Sequence, residues 1–298
     1  DQAKQLLQKA IKINSSHIES HYNLGIVLGE FKDFKSAISC YEKAIQINPN
    51  YADAYNNLGN VLKETKEFKK AMSYYQKAIE INPNYAEAHY NIGLVYVKLG
   101  KLLKAKESFL KVIQIIPNFV IALNALGNIN NTLEKTVDAI YYYNKVAQLQ
   151  PKFKDVHLHL GNLYKSTGNF KQALISYELG LKFDPGRLSI YNDISFLNEK
   201  IIDAELQLKA KKIIANEKCS KENLVYGNFI LSKYKNKKKN YEDELKYLYK
   251  AHQYFLELPK NENEFKWDKN FWLKKVPVLN ELIEFNLKKK IQITNTKN

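Results

Sequence analysis

The sequence predicts an all-α solenoid, a linear stack of antiparallel helix pairs, from two observations. First, residues 50–59 read NYADAYNNLG, and nearly the same segment recurs 34 residues later as NYAEAHYNIG at 84–93. A fixed period of this length is the sequence signature of a stack of helical hairpins. Second, apolar and small residues in each repeat lie three and four positions apart, which places them on one face of a helix.

Five repeats result when each repeat ends two residues after a proline: 18–51, 52–85, 86–119, 120–153 and 154–187. Position 7 is a large aliphatic residue in every repeat: Leu24, Leu58, Ile92, Leu126 and Leu160. Position 8 is always glycine: Gly25, Gly59, Gly93, Gly127 and Gly161. Position 20 is always alanine: Ala37, Ala71, Ala105, Ala139 and Ala173. Position 24 is aromatic: Tyr41, Tyr75, Phe109, Tyr143 and Tyr177. Position 32 is proline: Pro49, Pro83, Pro117, Pro151 and Pro185.

Each column has a physical reason. Positions 4, 7, 8 and 11 form one stripe of the first helix, so we expect that stripe to be buried. Glycine inside a helix costs about 1 kcal/mol relative to alanine. A sequence that keeps it in every repeat makes room for a close neighbouring helix, with the alanine at position 20 as the matching small residue. Proline at position 32 cannot continue a helix and ends the second one.

These columns resemble the tetratricopeptide repeat (TPR) family, whose signature is a small residue at positions 8 and 20, an aromatic at 24 and a proline at 32. The resemblance covers residues 18–187. It implies a right-handed superhelix whose first helices line a concave groove. The tryptophan that the family often carries at position 4 is replaced here by His21, Tyr55, His89, Leu123 and His157.

The segments on either side of the repeats depart from this pattern. Residues 1–17 are predicted to be the second helix of a truncated repeat, with Ala3 and Ala10 at the small positions. Residues 188–298 are predicted to be degenerate helical repeats that cap the array or bridge to a further domain, since terminal repeats of solenoids are atypical. The elements expected there are helices at 188–199 and 202–217, a hairpin from Glu222 to Leu258 with its turn at 235–240 and second helix at 241–256, and an amphipathic segment at 269–290 broken by Pro277.

The charge of the chain argues against nucleic acid as the partner. The net charge is +15, but Arg187 is the only arginine, and arginine is the residue suited to bidentate phosphate and base contacts. The lysines are spread along the array, with local runs only at 235–239 and 288–290.

The cysteines and the hydropathy bear on location. Cys40 and Cys219 are far apart and do not form a disulfide framework, which favours a reducing, cytoplasmic compartment. No run is long and apolar enough to cross a membrane, so no membrane association is predicted.

The sequence predicts no catalytic, cofactor or metal site. It lacks paired carboxylates, a nucleophile with a base, a glycine-rich phosphate loop and a cluster of metal ligands. His157 and His159 diverge by about 200° on a helix and do not share a metal easily. We therefore expect that this chain is not an enzyme by itself.

The binding signal lies on the first helices, where positions 2, 5, 6, 9, 12 and 13 cluster opposite the buried stripe. Asparagine recurs there, at position 6 (Asn23, Asn57, Asn91), position 9 (Asn60, Asn128, Asn162) and position 5 (Asn56, Asn124, Asn192). Asparagine is a poor helix former, so an exposed row of it indicates binding. A carboxamide donates and accepts, and can pair with the main chain of an extended peptide. The alternative is compositional, because asparagine is frequent throughout the chain.

The row at position 6 is similar to the asparagine ladder of the TPR superhelix in O-linked N-acetylglucosamine transferase, although it lapses at Ala125 and His159. Converging cations would instead indicate a carboxylate clamp, as in chaperone-binding TPR domains. Lys63, Lys98 and Lys165 stand at positions 12 or 13, but acidic residues oppose them at position 2: Asp53, Glu87 and Asp155.

Two functions follow. The first is a scaffold that binds an extended peptide or a partner protein in the groove. The second is that the chain is the TPR region of a larger transferase, of the sulfotransferase or O-linked N-acetylglucosamine transferase type, whose catalytic domain lies outside it. For the second, Tyr226, the lysine-rich turn and residues 241–255 resemble the bridging region of TPR-linked sulfotransferases.

Overall fold

The computed structural model describes residues 2–153 and 155–258, and within these ranges the regular elements are helices. The first part of the chain forms α1 (Gln2–Ile13), α2 (Ile18–Glu30), α3 (Phe34–Ile47), α4 (Ala52–Glu64), α5 (Phe68–Ile81), α6 (Ala86–Lys98), α7 (Leu102–Ile115), α8 (Val120–Thr132), α9 (Thr136–Leu149), α10 (Val156–Ser166) and α11 (Phe170–Phe183). The rest forms α12 (Leu188–Leu197), a short 3-10 helix (Glu199–Ile201), α13 (Ala204–Ile214), α14 (Lys221–Lys237) and α15 (Tyr241–Leu256). The amphipathic segment predicted at 269–290 lies outside the described residues.

The predicted helix pairs are confirmed. The first and second helices of one repeat pack together as α2 with α3, α4 with α5, α6 with α7 and α8 with α9. Second helices also pack against the first helix of the next repeat, as α3 does with α4, α5 with α6, α7 with α8 and α9 with α10. First helices of successive repeats touch directly as well, α2 with α4 and α4 with α6. Residues 1–17 contain α1, which packs on α2 through Leu7 and Ile11; that this helix belongs to a truncated repeat stays a prediction.

The turn inside each repeat depends on one residue in the left-handed region. Gly100 and Gly168 hold this position in two repeats, with φ of 69° and 77°. Lys32, Lys66 and Glu134 hold it in the others, with φ of 59°, 65° and 58°. The conformation lets the next residue close the helix end, as where the Asp33 N–H donates to the Leu28 carbonyl at 2.9 Å. The chain therefore reverses within three residues.

The core of each pair is an aromatic ring laid on a glycine. The ring at position 24 is buried in each of the first four repeats: Tyr41 is 3% exposed, and Tyr75, Phe109 and Tyr143 are 0% exposed. A Cβ placed on Gly93 would lie 2.6 Å from Cε1 of Phe109. The same distance is 2.7 Å at Gly25, 2.6 Å at Gly59 and 2.7 Å at Gly127. The glycine therefore makes room for the ring at position 24, whereas the sequence alone paired it with the alanine at position 20.

Two compact units divide the chain, Asp1–Ser176 and a second that begins at Tyr177, so the division falls within α11. In the second unit α14 packs against α12, α13 and α15. Its core contains Leu188, Ile202, Leu206, Ile230 and Leu231. The boundary predicted at 187/188 from the loss of the repeat columns stays a prediction.

The hairpin predicted at 222–258 is present as α14 and α15, but the expected start of its turn is wrong. α14 continues to Lys237, so the first part of the lysine run is the last turn of a helix and not a loop. Lys235 Nζ lies 2.6 Å from Asp243 Oδ2, and Lys237 Nζ donates to the Ile202 carbonyl at 3.1 Å. Lysines extend this helix because cations are favourable at a helix C-terminus.

The ring-on-glycine contact predicts opposite effects for two glycine-to-alanine changes. Gly93→Ala places a methyl group against Phe109, and we expect a loss of about 1–3 kcal/mol in the free energy of unfolding from overpacking. Gly29→Ala is the matched control, because a Cβ there meets nothing within 4 Å. It should stabilise by about 0.5–1 kcal/mol through helix propensity alone. Urea unfolding of both variants measures the difference, and two shifts of the same sign would contradict the packing described.

Candidate functional site

The candidate site is the first-helix face, the side of α2, α4, α6, α8 and α10 that carries repeat positions 2, 5, 6, 9, 12 and 13. The helices of each pair pack through their other sides, where positions 7 and 8 are buried: Leu24, Gly25, Leu58, Gly59, Ile92, Gly93, Leu126, Gly127, Leu160 and Gly161. The predicted binding residues lie at the other positions of these helices, and their exposure and hydrogen bonds differ from one to the next.

Three of the predicted asparagines are buried, so the expectation that they form an exposed row is wrong for them. Asn56 is 3% and Asn91 is 9% exposed, and Asn91 Nδ2 donates to Asn56 Oδ1 at 3.0 Å. Asn192, on α12 of the second unit, is 7% exposed and accepts from Lys233 Nζ at 2.9 Å. A buried carboxamide needs a partner of this kind, because leaving it unsatisfied costs about 1–3 kcal/mol.

Two hydrogen bonds of the same design join the first helices of successive repeats. Each links position 5 of one repeat to position 6 of the next. Asn57 Nδ2 donates to Tyr22 Oη at 2.9 Å, from α4 to α2. The Asn56–Asn91 bond repeats this arrangement from α6 to α4. The predicted ladder at position 6 is therefore engaged within the chain at Asn57 and Asn91.

The asparagines at position 9 accept from the tyrosines at position 24. Tyr75 Oη donates to Asn60 Oδ1 at 2.8 Å, and Tyr143 Oη donates to Asn128 Oδ1 at 2.6 Å. Burial raises the pKa of Tyr75, so its hydroxyl keeps the proton that it donates. Repeat 3 has Phe109 at position 24 and Leu94, not asparagine, at position 9, and the two are packed together. In repeats 2 and 4 the asparagine at position 9 thus supplies an acceptor for the tyrosine, whereas repeat 1 combines Tyr41 with Ile26 and lacks this bond.

The side chains of the remaining predicted asparagines are exposed or half-buried. Asn23 is exposed on α2 and Asn162 is exposed on α10. Asn124, on α8, is half-buried, and its Oδ1 atom is buried with no hydrogen-bond partner within residues 2–153 and 155–258.

The predicted lysines lie on three separate helices. Lys98 is exposed at the end of α6, and Lys165 is half-buried at the end of α10. Lys63, at the end of α4, is half-buried, and burial lowers its pKa.

An aromatic and acidic edge lies beside these asparagines and was not predicted from the sequence. The Tyr22 and Tyr51 rings lie 5.0 Å apart, and Tyr85 Oη donates to Asp53 Oδ1 at 2.5 Å. Burial and then the Asp53 charge raise the pKa of Tyr22. The signal that could have revealed this edge is the aromatic column at position 34: Tyr51, Tyr85, Phe119 and Phe153. With exposed Glu19 and Glu87 at position 2, this edge is negative although the whole chain has a net charge of +15.

The histidines that were weighed as metal ligands take packing roles. His157 Nε2 lies 2.8 Å from the Pro151 carbonyl oxygen, and the His159 ring stacks on Tyr143 at 5.1 Å. Among the described residues, no three His, Cys, Asp or Glu side chains are placed to hold a metal ion together. Within the same ranges, no helix combines the length and the apolar character required to cross a membrane.

Comparison with family models identifies tetratricopeptide repeats in four segments. Residues 32–66 and 59–100 match a model described as a TPR repeat. Residues 86–119 and 155–187 match models described as tetratricopeptide repeats. No curated protein matches the sequence.

Solved structures with a similar fold include TPR proteins. A tetratricopeptide repeat protein from Parabacteroides merdae is 17% identical, with a TM-score of 0.56, covering 80% of this chain and 93% of its own. PilF of Pseudomonas aeruginosa is 18% identical, with a TM-score of 0.54, covering 81% and 97%. YrrB, described as a TPR protein with an unusual peptide-binding site, is 22% identical, with a TM-score of 0.50, covering 60% and 92%. At these identities the likeness establishes the fold.

The pairing of positions 9 and 24 predicts a strongly non-additive mutant pair. Asn60→Leu leaves the buried Tyr75 hydroxyl without its acceptor and should destabilise by about 1–3 kcal/mol. Adding Tyr75→Phe recreates the Leu94 and Phe109 pair of repeat 3, so the double variant should recover most of that loss. Urea unfolding of both single variants and the double variant gives the coupling energy. Additive effects would mean that the hydroxyl does not depend on Asn60.

Proposed function

We propose that this chain, which is a tetratricopeptide repeat protein, acts as a non-catalytic interaction scaffold that holds an extended peptide on the first-helix face. The observation that carries the proposal is the Oδ1 atom of Asn124, which is buried and has no hydrogen-bond partner among the residues that the structure describes. Such an atom destabilises a fold by about 1–3 kcal/mol unless a donor reaches it. Because Asn124 as a residue is only half-buried, a rotation of its side chain would present this oxygen to the N–H of a peptide that lies along the face.

The chemistry of the face favours a main-chain contact. The helices satisfy their own backbone groups, so a ligand meets side chains only, and carboxamides accept from any peptide N–H regardless of its side chain. Exposed Asn23 on α2 extends this chemistry beyond Asn124. The unusual peptide-binding site described for YrrB is consistent with this kind of use in a similar fold.

The aromatic and acidic edge would determine how the bound peptide is oriented on the first-helix face. Exposed Glu19, Asp53 and Glu87 lie at the start of three successive first helices, so cationic side chains of the ligand are attracted to that edge. Exposed Lys98 lies at the other end of α6. The hydrogen bonds to asparagine are neutral, so the salt dependence of binding should come from the contacts between cationic ligand side chains and this acidic edge.

The test is Asn124→Ala, for which stability and binding should move in opposite directions. Alanine removes the unpartnered acceptor and is the better helix former, so the free energy of unfolding should stay the same or rise. A ligand selected from a library of short random peptides should bind the variant more weakly. One lost hydrogen bond contributes about 0.5–1.5 kcal/mol, which corresponds to roughly a 2- to 12-fold loss of affinity. Calorimetry at two salt concentrations measures it.

Gln148→Ala is the matched control, since it removes an exposed carboxamide from α9, a second helix. It should leave the affinity unchanged. If Asn124→Ala binds the selected peptide as the unmodified chain does, the ligand lies on another surface and the proposal fails.

A further inference from the structure

A second surface, on the opposite edge of repeats 3 and 4, breaks the pattern of its neighbours. Position 18, near the start of the second helix, is lysine in three repeats: Lys35, Lys69 and Lys171. In repeats 3 and 4 it is Leu103 and Val137, and these side chains are 62% and 81% exposed. The same fold accepts a charged lysine at this position in the other repeats. The helix geometry therefore does not require an exposed aliphatic side chain here.

More apolar surface adjoins these two residues. Leu99, which follows α6, is 42% exposed. Leu133, which follows α8, is half-buried and lines a shallow depression of about 380 Å³ together with residues 100–104. We call Leu99, Leu103, Leu133 and Val137 the turn patch. Single exposed apolar side chains are ordinary, but a group of them marks a surface that a partner covers.

The charges around the turn patch are mostly positive. Lys101 and Lys104 line the depression, and Lys135 immediately precedes α9; all three are exposed. Glu134 stands in the same turn, while Asp138 lies 3.5 Å from Lys106, which offsets its charge. An apolar surface rimmed by lysines is complementary to an apolar surface rimmed by carboxylates.

We infer that the turn patch docks an acidic amphipathic helix of a partner protein. The helical form follows from the backbone. This surface has no strand edge along which an extended chain could pair, and its unbonded N–H groups are only those of the first turns of α7 and α9, whose N-cap residues Lys101 and Lys135 make no side-chain hydrogen bond. A partner that buries its backbone here must satisfy its own N–H and C=O groups, which a helix does. The site is separate from the first-helix face and does not depend on the function proposed for it.

The experiment uses the whole chain and a synthetic probe. The probe is a fluorescent helix-forming peptide with leucine and phenylalanine on one face and glutamate on the other, and binding is followed by anisotropy. The variant Leu103→Lys/Val137→Lys introduces the residue that the other repeats carry. It adds positive charge, which by itself favours an acidic peptide, so weaker binding would report the lost apolar contact. We expect at least about a tenfold loss, equivalent to 1.4 kcal/mol.

A second variant and two further peptides complete the test. Leu6→Lys/Ile13→Lys adds the same charge at exposed positions of α1 and should bind as the unmodified chain does. A peptide with lysine in place of glutamate, and one with serine in place of its apolar residues, should both bind at least tenfold more weakly.

Several results would overturn the inference. No binding of the acidic peptide, equal binding of the lysine peptide, or an equal loss in the α1 variant would each do so. A concentration-dependent dimer in sedimentation velocity that the turn-patch variant abolishes would show that a second copy covers this surface instead.

Discussion

The contact between the glycine at position 8 and the aromatic ring at position 24 sets the spacing of the two helices in each repeat. With 2.6–2.7 Å from ring carbon to a hypothetical Cβ, no larger residue fits without displacing the ring. The ring in turn determines chemistry on the far side of the first helix. A buried tyrosine needs an acceptor for its hydroxyl, which Asn60 and Asn128 supply, while Phe109 needs none and faces Leu94. In repeats 2, 3 and 4 the residue in the core therefore matches a polar or apolar residue on the first-helix face, whereas repeat 1 places Ile26 beside Tyr41.

This link changes what a row of asparagines means for function. Asn57, Asn60, Asn91 and Asn128 each bond to another side chain of the fold, so their recurrence has a structural explanation. Asn124 and Asn23 have no such explanation. A partner on this face therefore meets a few available carboxamides and a negative, tyrosine-rich edge, and not a continuous ladder. Its specificity then comes from the edge as much as from the amides.

The fold was predictable because each repeat presents the same helical stripe, and the columns place helix ends within a residue or two. Even the hairpin of α14 and α15 was predictable from its apolar spacing. Burial on the first-helix face was not. A helical wheel drawn at 100° per residue places positions 5 and 6 opposite the buried stripe of their own helix. It does not show the burial of these positions by the first helix of the next repeat. Direct contact of α4 with α6 is what buries Asn56 and Asn91. Peptide binding on the face stays a prediction.

The bonds between position 5 of one repeat and position 6 of the next also restrict how such an array can evolve. The repeats share the same glycine, alanine and proline columns and so look interchangeable. The side chains at positions 5 and 6, however, fit only particular neighbouring repeats. Deleting repeat 3, a common kind of recombination between similar sequences, would bring Asn56 against Ala125 in place of Asn91. The buried amide would lose its partner, at a cost of about 1–3 kcal/mol. These side-chain pairs therefore favour the present order of the repeats. Duplication or loss of a repeat would require compensating substitutions at position 5 or 6 of the repeats that become neighbours.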